Sequence, residues 1–132
     1  MIHFGRHAAR PGQTALALRF QPPQDPADSA AYLALFEVLA RHPCPFVLYS
    51  DLRGFRLDHA EEVAQNQIAR ATRAAISRQI RGMVLFSPGP SEKKRAAFSK
   101  FWSIPVEVYD DAERAGAAFL ALHDRIFAGG GD

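Results

Sequence analysis

The chain has 132 residues, of which 48% are apolar and 23% are charged, and its formal net charge is +2. This length suits one domain, and the composition is that of an average globular protein, which excludes a disordered or fibrous chain. No apolar run approaches the roughly 18 residues that a membrane span requires, and the first residues lack the apolar centre of a signal peptide. We therefore expect a cytoplasmic protein without a membrane span.

Positive charge is concentrated in the middle of the chain. Residues 41–100 contain eleven Lys or Arg side chains and five Asp or Glu side chains. A solvated helix face explains such an excess, and so does an anionic partner. The sequence leaves both explanations open.

The first predicted elements are a β-hairpin and a helix. Ile2 and Phe4 alternate with polar residues, and the alternation returns from Leu16 onward, after turn-forming residues. Asp25 is a suitable helix N-cap and Pro26 suits the first helical position, so a helix is predicted to follow them.

Two continuous apolar runs, at 46–49 and 83–86, predict central strands that are covered on both faces. Between them a long helix is predicted from about 58 to 79, because apolar residues recur on one of its faces. Arg70 and Arg73 lie opposite that face, where we expect them to be solvated.

The last third of the chain predicts a short helix, an edge strand and a final helix. Ser91 is the expected N-cap of the short helix, and the strand near 106–108 alternates between apolar and polar residues. Asp110 and Glu113 form a capping signature for the final helix.

These elements predict an α/β fold: a single-domain, mixed, mostly parallel sheet of about five strands, with an N-terminal β-hairpin and four helices on both faces. The domain is expected to span residues 1–128, and residues 129–132 are expected to form a flexible tail. In such sheets ligands bind beyond the carboxyl ends of the strands, where the strand order reverses.

That rule places a ligand-binding site at Asp51, Arg53, Arg56, Ser87 and Ser91, which follow the two central strands. The arginines would present forked donors to a carboxylate or phosphate. The alternative is that Asp51 caps the turn and that both arginines are solvated.

Nothing in the sequence identifies a catalytic residue, a metal site or a cofactor. The five histidines are dispersed, Cys44 is the only cysteine, and no phosphate-binding or nucleophile motif is present. The acidic residues at 58–62 are best explained by the preference of a helix start for negative charge. We therefore expect no bound metal and no cofactor.

Three features together predict a homodimer. Leu33 is expected to be exposed opposite the packed face of its helix, and the hairpin leaves an open sheet edge. Phe98 and Phe101 are expected to turn inward from the short helix, which leaves Trp102 free to line a pocket rim or a dimer contact.

The segment FVLYSDLRGF, the run IRGMVLF and the order of the elements resemble the SpoIIAA-like proteins of the STAS/SEC14-like group, which are small bacterial α/β domains. The resemblance implies a regulatory or ligand-binding domain without a cofactor of its own. Anti-sigma-factor antagonists of this group carry a phosphorylated serine in an Asp-Ser-Ser-Gly segment. Arg53 stands at the serine's place here, so that switch does not carry over.

The sequence thus predicts a non-enzymatic module that acts through a partner protein or a small anionic or amphiphilic ligand. The alternative is an enzyme that uses Asp51 and Arg53 on an acidic metabolite. Nucleic acid is a less favoured partner, because the arginines are not interleaved with aromatic residues.

Overall fold

The computed structural model describes residues 1–88 and 92–128. These residues form the strands and helices in the order predicted. Their bounds are β1 Ile2–Arg6, β2 Ala15–Phe20, α1 Pro26–Ala40, β3 Phe46–Asp51, α2 His59–Ser77, β4 Ile80–Phe86, α3 Glu92–Trp102, β5 Val106–Tyr109 and α4 Ala112–Phe127. The cap predicted at Ser91 and the tail predicted at 129–132 lie outside the described residues.

The strands form one mixed sheet in the spatial order β1-β2-β3-β4-β5. β1 pairs antiparallel with β2, and the other three pairs are parallel. The α/β class and the antiparallel hairpin at the edge are confirmed. β5 forms the opposite edge, as the alternation within it predicts.

The helices lie on both faces of the sheet, three on one face and one on the other. α1, α2 and α3 bury Leu39, Ile76 and Trp102 in a core that includes the inward side chains of β3 and β4. α4 buries Phe119 and Leu122 against the other face. Each crossover steps to the next strand in the same direction, and right-handed crossovers of that kind put their helices on one face. The strand order therefore never reverses, and the prediction of a crevice at a point of reversal is wrong.

The central strands are as deeply buried as their apolar runs predict. Leu48 in β3 and Leu85 in β4 are 4% and 7% exposed. Both point towards the three-helix layer. The burial of both residues confirms the assignment of these strands.

Side-chain caps fix where the long and the final helix begin. The Asp58 carboxylate accepts a hydrogen bond from the Glu61 amide at 2.8 Å, and the Glu61 carboxylate accepts one from the Asp58 amide at 2.9 Å. This capping box explains the acidic residues there. The final helix is capped one residue later than predicted, because Asp111 and not Asp110 accepts from its first amides.

Helix α2 leans on α1 and meets the sheet only through its C-terminal half. Its buried residues are Thr72 and Ile76. On the α1 side, the Tyr32 hydroxyl donates a hydrogen bond to the Gln65 side-chain oxygen at 2.5 Å. The N-terminal half of α2 therefore leaves part of the sheet uncovered, above the carboxyl ends of β3 and β4.

Candidate functional site

A cavity of about 430 Å³ lies where α2 leaves the sheet uncovered, between the sheet, α1 and α3. Apolar side chains form its floor and its main wall. They are Leu18, Leu48, Met83 and Leu85 from the sheet, and Leu35, Phe36 and Leu39 from α1. None of the described α2 side chains reaches the cavity, which follows from the tilt of that helix.

Aromatic rings close the cavity where α1 meets the segment after β3. The Phe55 ring centroid lies 5.2 Å from that of Tyr32 and 5.3 Å from that of Phe20. Burial raises the pKa of Tyr32 to about 12, so its hydroxyl stays protonated and acts as a donor. This part of the cavity is therefore apolar with one neutral polar group.

A tight turn at 52–55 places Arg53 at the mouth of the cavity. The Phe55 amide donates to the Leu52 carbonyl at 3.0 Å, and Gly54 at the third position has a φ of +84°. A turn of this kind requires a positive φ at that position, which glycine adopts without steric cost. Gly54 thus allows Arg53 to project beside the end of β4.

The Arg53 guanidinium is held by two different contacts. Its Nε and Nη2 donate to the two carboxylate oxygens of Asp51 at 2.9 and 3.0 Å. Its central carbon lies 3.8 Å from the centroid of the Phe86 ring, which is a cation–π distance. The hydrogen bond to Asp51 raises the pKa of Arg53 further. Asp51 itself does not line the cavity, so its role is to orient Arg53, and only the remaining N–H groups of Arg53 are free for a ligand.

Two more cations lie at the mouth. The Lys94 ammonium donates to the Ser87 hydroxyl at 2.8 Å, which links α3 to the end of β4. Gln24 Nε2 donates to the Arg56 carbonyl at 2.7 Å, and the Arg56 amide donates to Gln24 Oε1 at 2.9 Å. The exposed side chain of Arg56 lines the cavity. The described part of the mouth is therefore positively charged.

The structure brings together most of the residues that the sequence predicts for the site. Arg53, Arg56 and Ser87 line one cavity, and Asp51 holds Arg53 in place. Ser91 lies outside the described residues. Lys94 is not among the predicted site residues, although the sequence places it in the first turn of the helix after Ser87, where an anion could bind, because a plain turn is the favoured interpretation of 87–91.

The inward face of α3 differs from the prediction. Trp102 is buried at 8% exposure, Phe98 is 36% exposed, and Phe101 is half-buried. Trp102 and not Phe98 fills the core, because the C-terminal end of α3 is the part that packs on the sheet. Leu33 is half-buried and not exposed, so this argument for a homodimer is wrong. Of the two alternatives for Trp102, a pocket rim or a dimer contact, the structure shows that it lines a cavity.

A second polar cluster joins the hairpin to α4 on the other face of the sheet. The His123 ring is hydrogen-bonded to the Thr14 hydroxyl at 2.8 Å and to the Asp124 carboxylate at 3.1 Å. Arg10 binds the same carboxylate through two donors and, as the larger cause, lowers the pKa of Asp124 to about 2. The cluster resembles a proton relay, but it does not line the cavity described above. Its role is to fasten the hairpin to α4.

No family model, curated protein or solved structure matches the chain. Within residues 1–88 and 92–128, no three His, Cys, Asp or Glu side chains are placed to hold a metal ion together. Among the helices of that same part of the chain, none is both long and apolar enough to cross a membrane.

Proposed function

We propose that this protein is a non-enzymatic binding module for a small amphiphilic anion. The observation that carries the proposal is the separation of properties along one cavity, which has an apolar floor and cations at the mouth. Among the described lining residues, the side chains that titrate are Arg53, Arg56, Lys94 and Tyr32. At the mouth, a carboxylate or phosphate head group would meet three cations and one carboxylate, that of Asp51, which is already paired with Arg53. An apolar chain would lie on the leucine-rich floor.

The size of the cavity sets the size of the ligand. Small-molecule cavities commonly range from about 300 to 1,000 Å³, and the observed volume lies within that range. At about 30 Å³ for each water-sized group, it holds on the order of a dozen non-hydrogen atoms. Each buried methylene would contribute roughly 0.8 kcal/mol. A medium-chain fatty acid or a phosphorylated compound of similar size fits this description.

The resemblance to SpoIIAA-like proteins supports a regulatory use of the module, and we propose that ligand occupancy controls contact with a partner protein. The enzymatic alternative requires Asp51 to reach a substrate. Its carboxylate oxygens each accept a hydrogen bond from Arg53, and it lies outside the cavity lining, so the geometry favours binding.

The test is a comparison of two ligands that differ only in the head group. Decanoate and decanol are titrated into ligand-free protein, and the fluorescence of Trp102, the chain's single tryptophan, reports occupancy because this residue lines the cavity. Decanoate should bind more tightly. Arg53→Ala should weaken the binding of decanoate by about 1.5 to 3 kcal/mol, which is the range for hydrogen bonds to charged groups. The binding of decanol should not change.

Arg125→Ala is the matched control, because Arg125 is an exposed arginine on α4, on the other face of the sheet. Native mass spectrometry of freshly purified protein shows in parallel whether a natural ligand is retained. Equal affinity for decanoate and decanol, or equal losses in Arg53→Ala and Arg125→Ala, would contradict the proposal.

A further inference from the structure

A second cavity lies at the other end of the three-helix layer, at the amino ends of β4 and β5. It is an open groove of about 680 Å³ between the C-terminal half of α2 and the turn at 102–105 that joins α3 to β5. Arg70 and Arg73 from α2 and Arg81 from β4 line it. The groove therefore brings arginines from two elements to one place.

The helical spacing explains why two of these arginines share the groove. Arg73 and Ala74 lie three and four residues after Arg70, and Ser77 lies four residues after Arg73, so these residues share one face of α2. The sequence predicts that Arg70 and Arg73 are simply solvated. That prediction is incomplete, because the turn after α3 passes beside this face and turns it into the wall of a groove.

Two of the three arginines, Arg73 and Arg81, make contacts that do not neutralise their charge. The guanidinium carbon of Arg73 lies 4.9 Å from the ring centroid of Phe101. Nη1 of Arg81 donates to the Arg78 carbonyl at 2.9 Å. Among the described residues, no carboxylate lies within 4.0 Å of the charged nitrogens of Arg70, Arg73 or Arg81. Arg70 and Arg73 are like charges three residues apart on one helix, which repel each other, and a bound anion would relieve that repulsion.

The opposite wall of the groove is the turn that ends α3. Ser103 has a φ of +57°, which is the left-handed region, and within the described ranges no other residue except glycine has a positive φ. The Ser103 amide donates to the Ser99 carbonyl at 2.8 Å, and the Ser99 hydroxyl donates to the Ile104 carbonyl at 2.9 Å. A left-handed residue directly after the last helical residue is a common way for a helix to end, and the two hydrogen bonds hold this wall in place.

We infer that this groove is a second binding site, which takes a small phosphorylated molecule. Guanidinium groups match the oxygens of a phosphate with paired donors. Ile80, Ile104 and Pro105 supply an apolar surface for the rest of the ligand. The aromatic rings nearby do not form a stacking platform for nucleic acid, because Trp102 is buried and Arg73 covers Phe101. The inference does not depend on the function proposed for the first cavity.

Inorganic pyrophosphate is the probe, and its binding is measured by isothermal titration calorimetry at fixed ionic strength. We expect one molecule bound per chain. Arg70→Gln and Arg73→Gln should each weaken binding by about tenfold or more, the loss expected for a hydrogen bond to a charged group. Arg125→Gln removes the same charge from α4 and should change the affinity by less than about twofold, since it removes only a screened long-range charge.

Two further measurements separate this site from its alternatives. A loss of pyrophosphate binding in Arg53→Ala, with none in Arg70→Gln, would place the anion in the first cavity and would overturn the inference. If a single-stranded oligonucleotide binds more tightly than pyrophosphate, the ligand of the groove is a nucleic acid and not a small phosphorylated molecule, and the inference is wrong. Equal losses in Arg70→Gln and Arg125→Gln would also overturn the inference, because they would show a diffuse positive surface without a site.

Discussion

The cavity can be tested through stability alone by truncating one leucine that lines it and one that does not. Leu85 is 7% exposed and lines the cavity, whereas Leu122 is 1% exposed and packs on the opposite face of the sheet. Leu→Ala substitutions in a core cost about 2 to 5 kcal/mol, and the cost rises with the volume of the new void. Leu85 already borders empty space, so its side chain has fewer contacts to lose.

We therefore expect Leu85→Ala to cost about 2 to 3 kcal/mol and Leu122→Ala about 4 to 5 kcal/mol, the two ends of that range. Urea unfolding followed by far-ultraviolet circular dichroism gives both values, on protein refolded from denaturant so that no co-purified ligand fills the cavity. Leu122→Val is the milder replacement if Leu122→Ala does not fold. A cost for Leu85→Ala equal to or above that for Leu122→Ala would mean that the space next to Leu85 is filled in solution.

Two other predictions concern the α4 face. A Cβ at Gly82 would lie 3.0 Å from Leu122 Cδ2, so Gly82→Ala should lower the free energy of unfolding by about 1 to 3 kcal/mol through overpacking. In a double-mutant cycle, Leu122→Ala should recover part of that loss. Strictly additive effects of the two substitutions would refute the contact. Burial is the main cause that lowers the pKa of His7 from its usual 6.5, with Arg19 and Arg10 contributing. His7 therefore binds a proton more readily in the unfolded chain. The stability that depends on neutral His7 should be fully present above pH 6.5 and should decrease as the pH falls below that value. Urea unfolding at several pH values should show a smaller loss of unfolding free energy at low pH in His7→Phe than in the parent protein. An equal loss in both proteins would contradict this prediction.

The strands and their places along the chain could be predicted because local patterns determine them. Alternation marks the edge strands, and the continuous apolar runs mark β3 and β4. The carboxyl ends of parallel strands meet at one edge of a sheet, so Asp51, Arg53 and Ser87 were expected to lie near each other even though the strand order does not reverse. The argument from reversal was wrong, and the shared edge alone explains why Arg53 and Ser87 line one cavity and why Asp51 lies beside them.

The orientation of α3 could not be predicted from spacing. Phe98, Phe101 and Trp102 are all large and apolar, so periodicity cannot decide which of them faces the sheet. The choice depends on partners that are distant in sequence, since Arg73 from α2 lies over Phe101 and leaves Trp102 to fill the core. The Asp51–Arg53 ion pair has a similar origin, because the Gly54 turn folds the arginine back beside its neighbour.

Both cavities have a common cause in where α2 carries its anchoring side chains. Thr72 and Ile76, the buried residues of α2, lie near its C-terminal end, while Val63 in its first half is 43% exposed. Because α2 is anchored to the sheet only near that end, it leaves a gap above the carboxyl ends of the strands. Its C-terminal half lies beside the turn after α3, and there Arg70 lines the groove. Trp102 lines both spaces. The apolar pattern of one helix thus creates an apolar cavity at one end of the layer and an arginine-lined groove at the other.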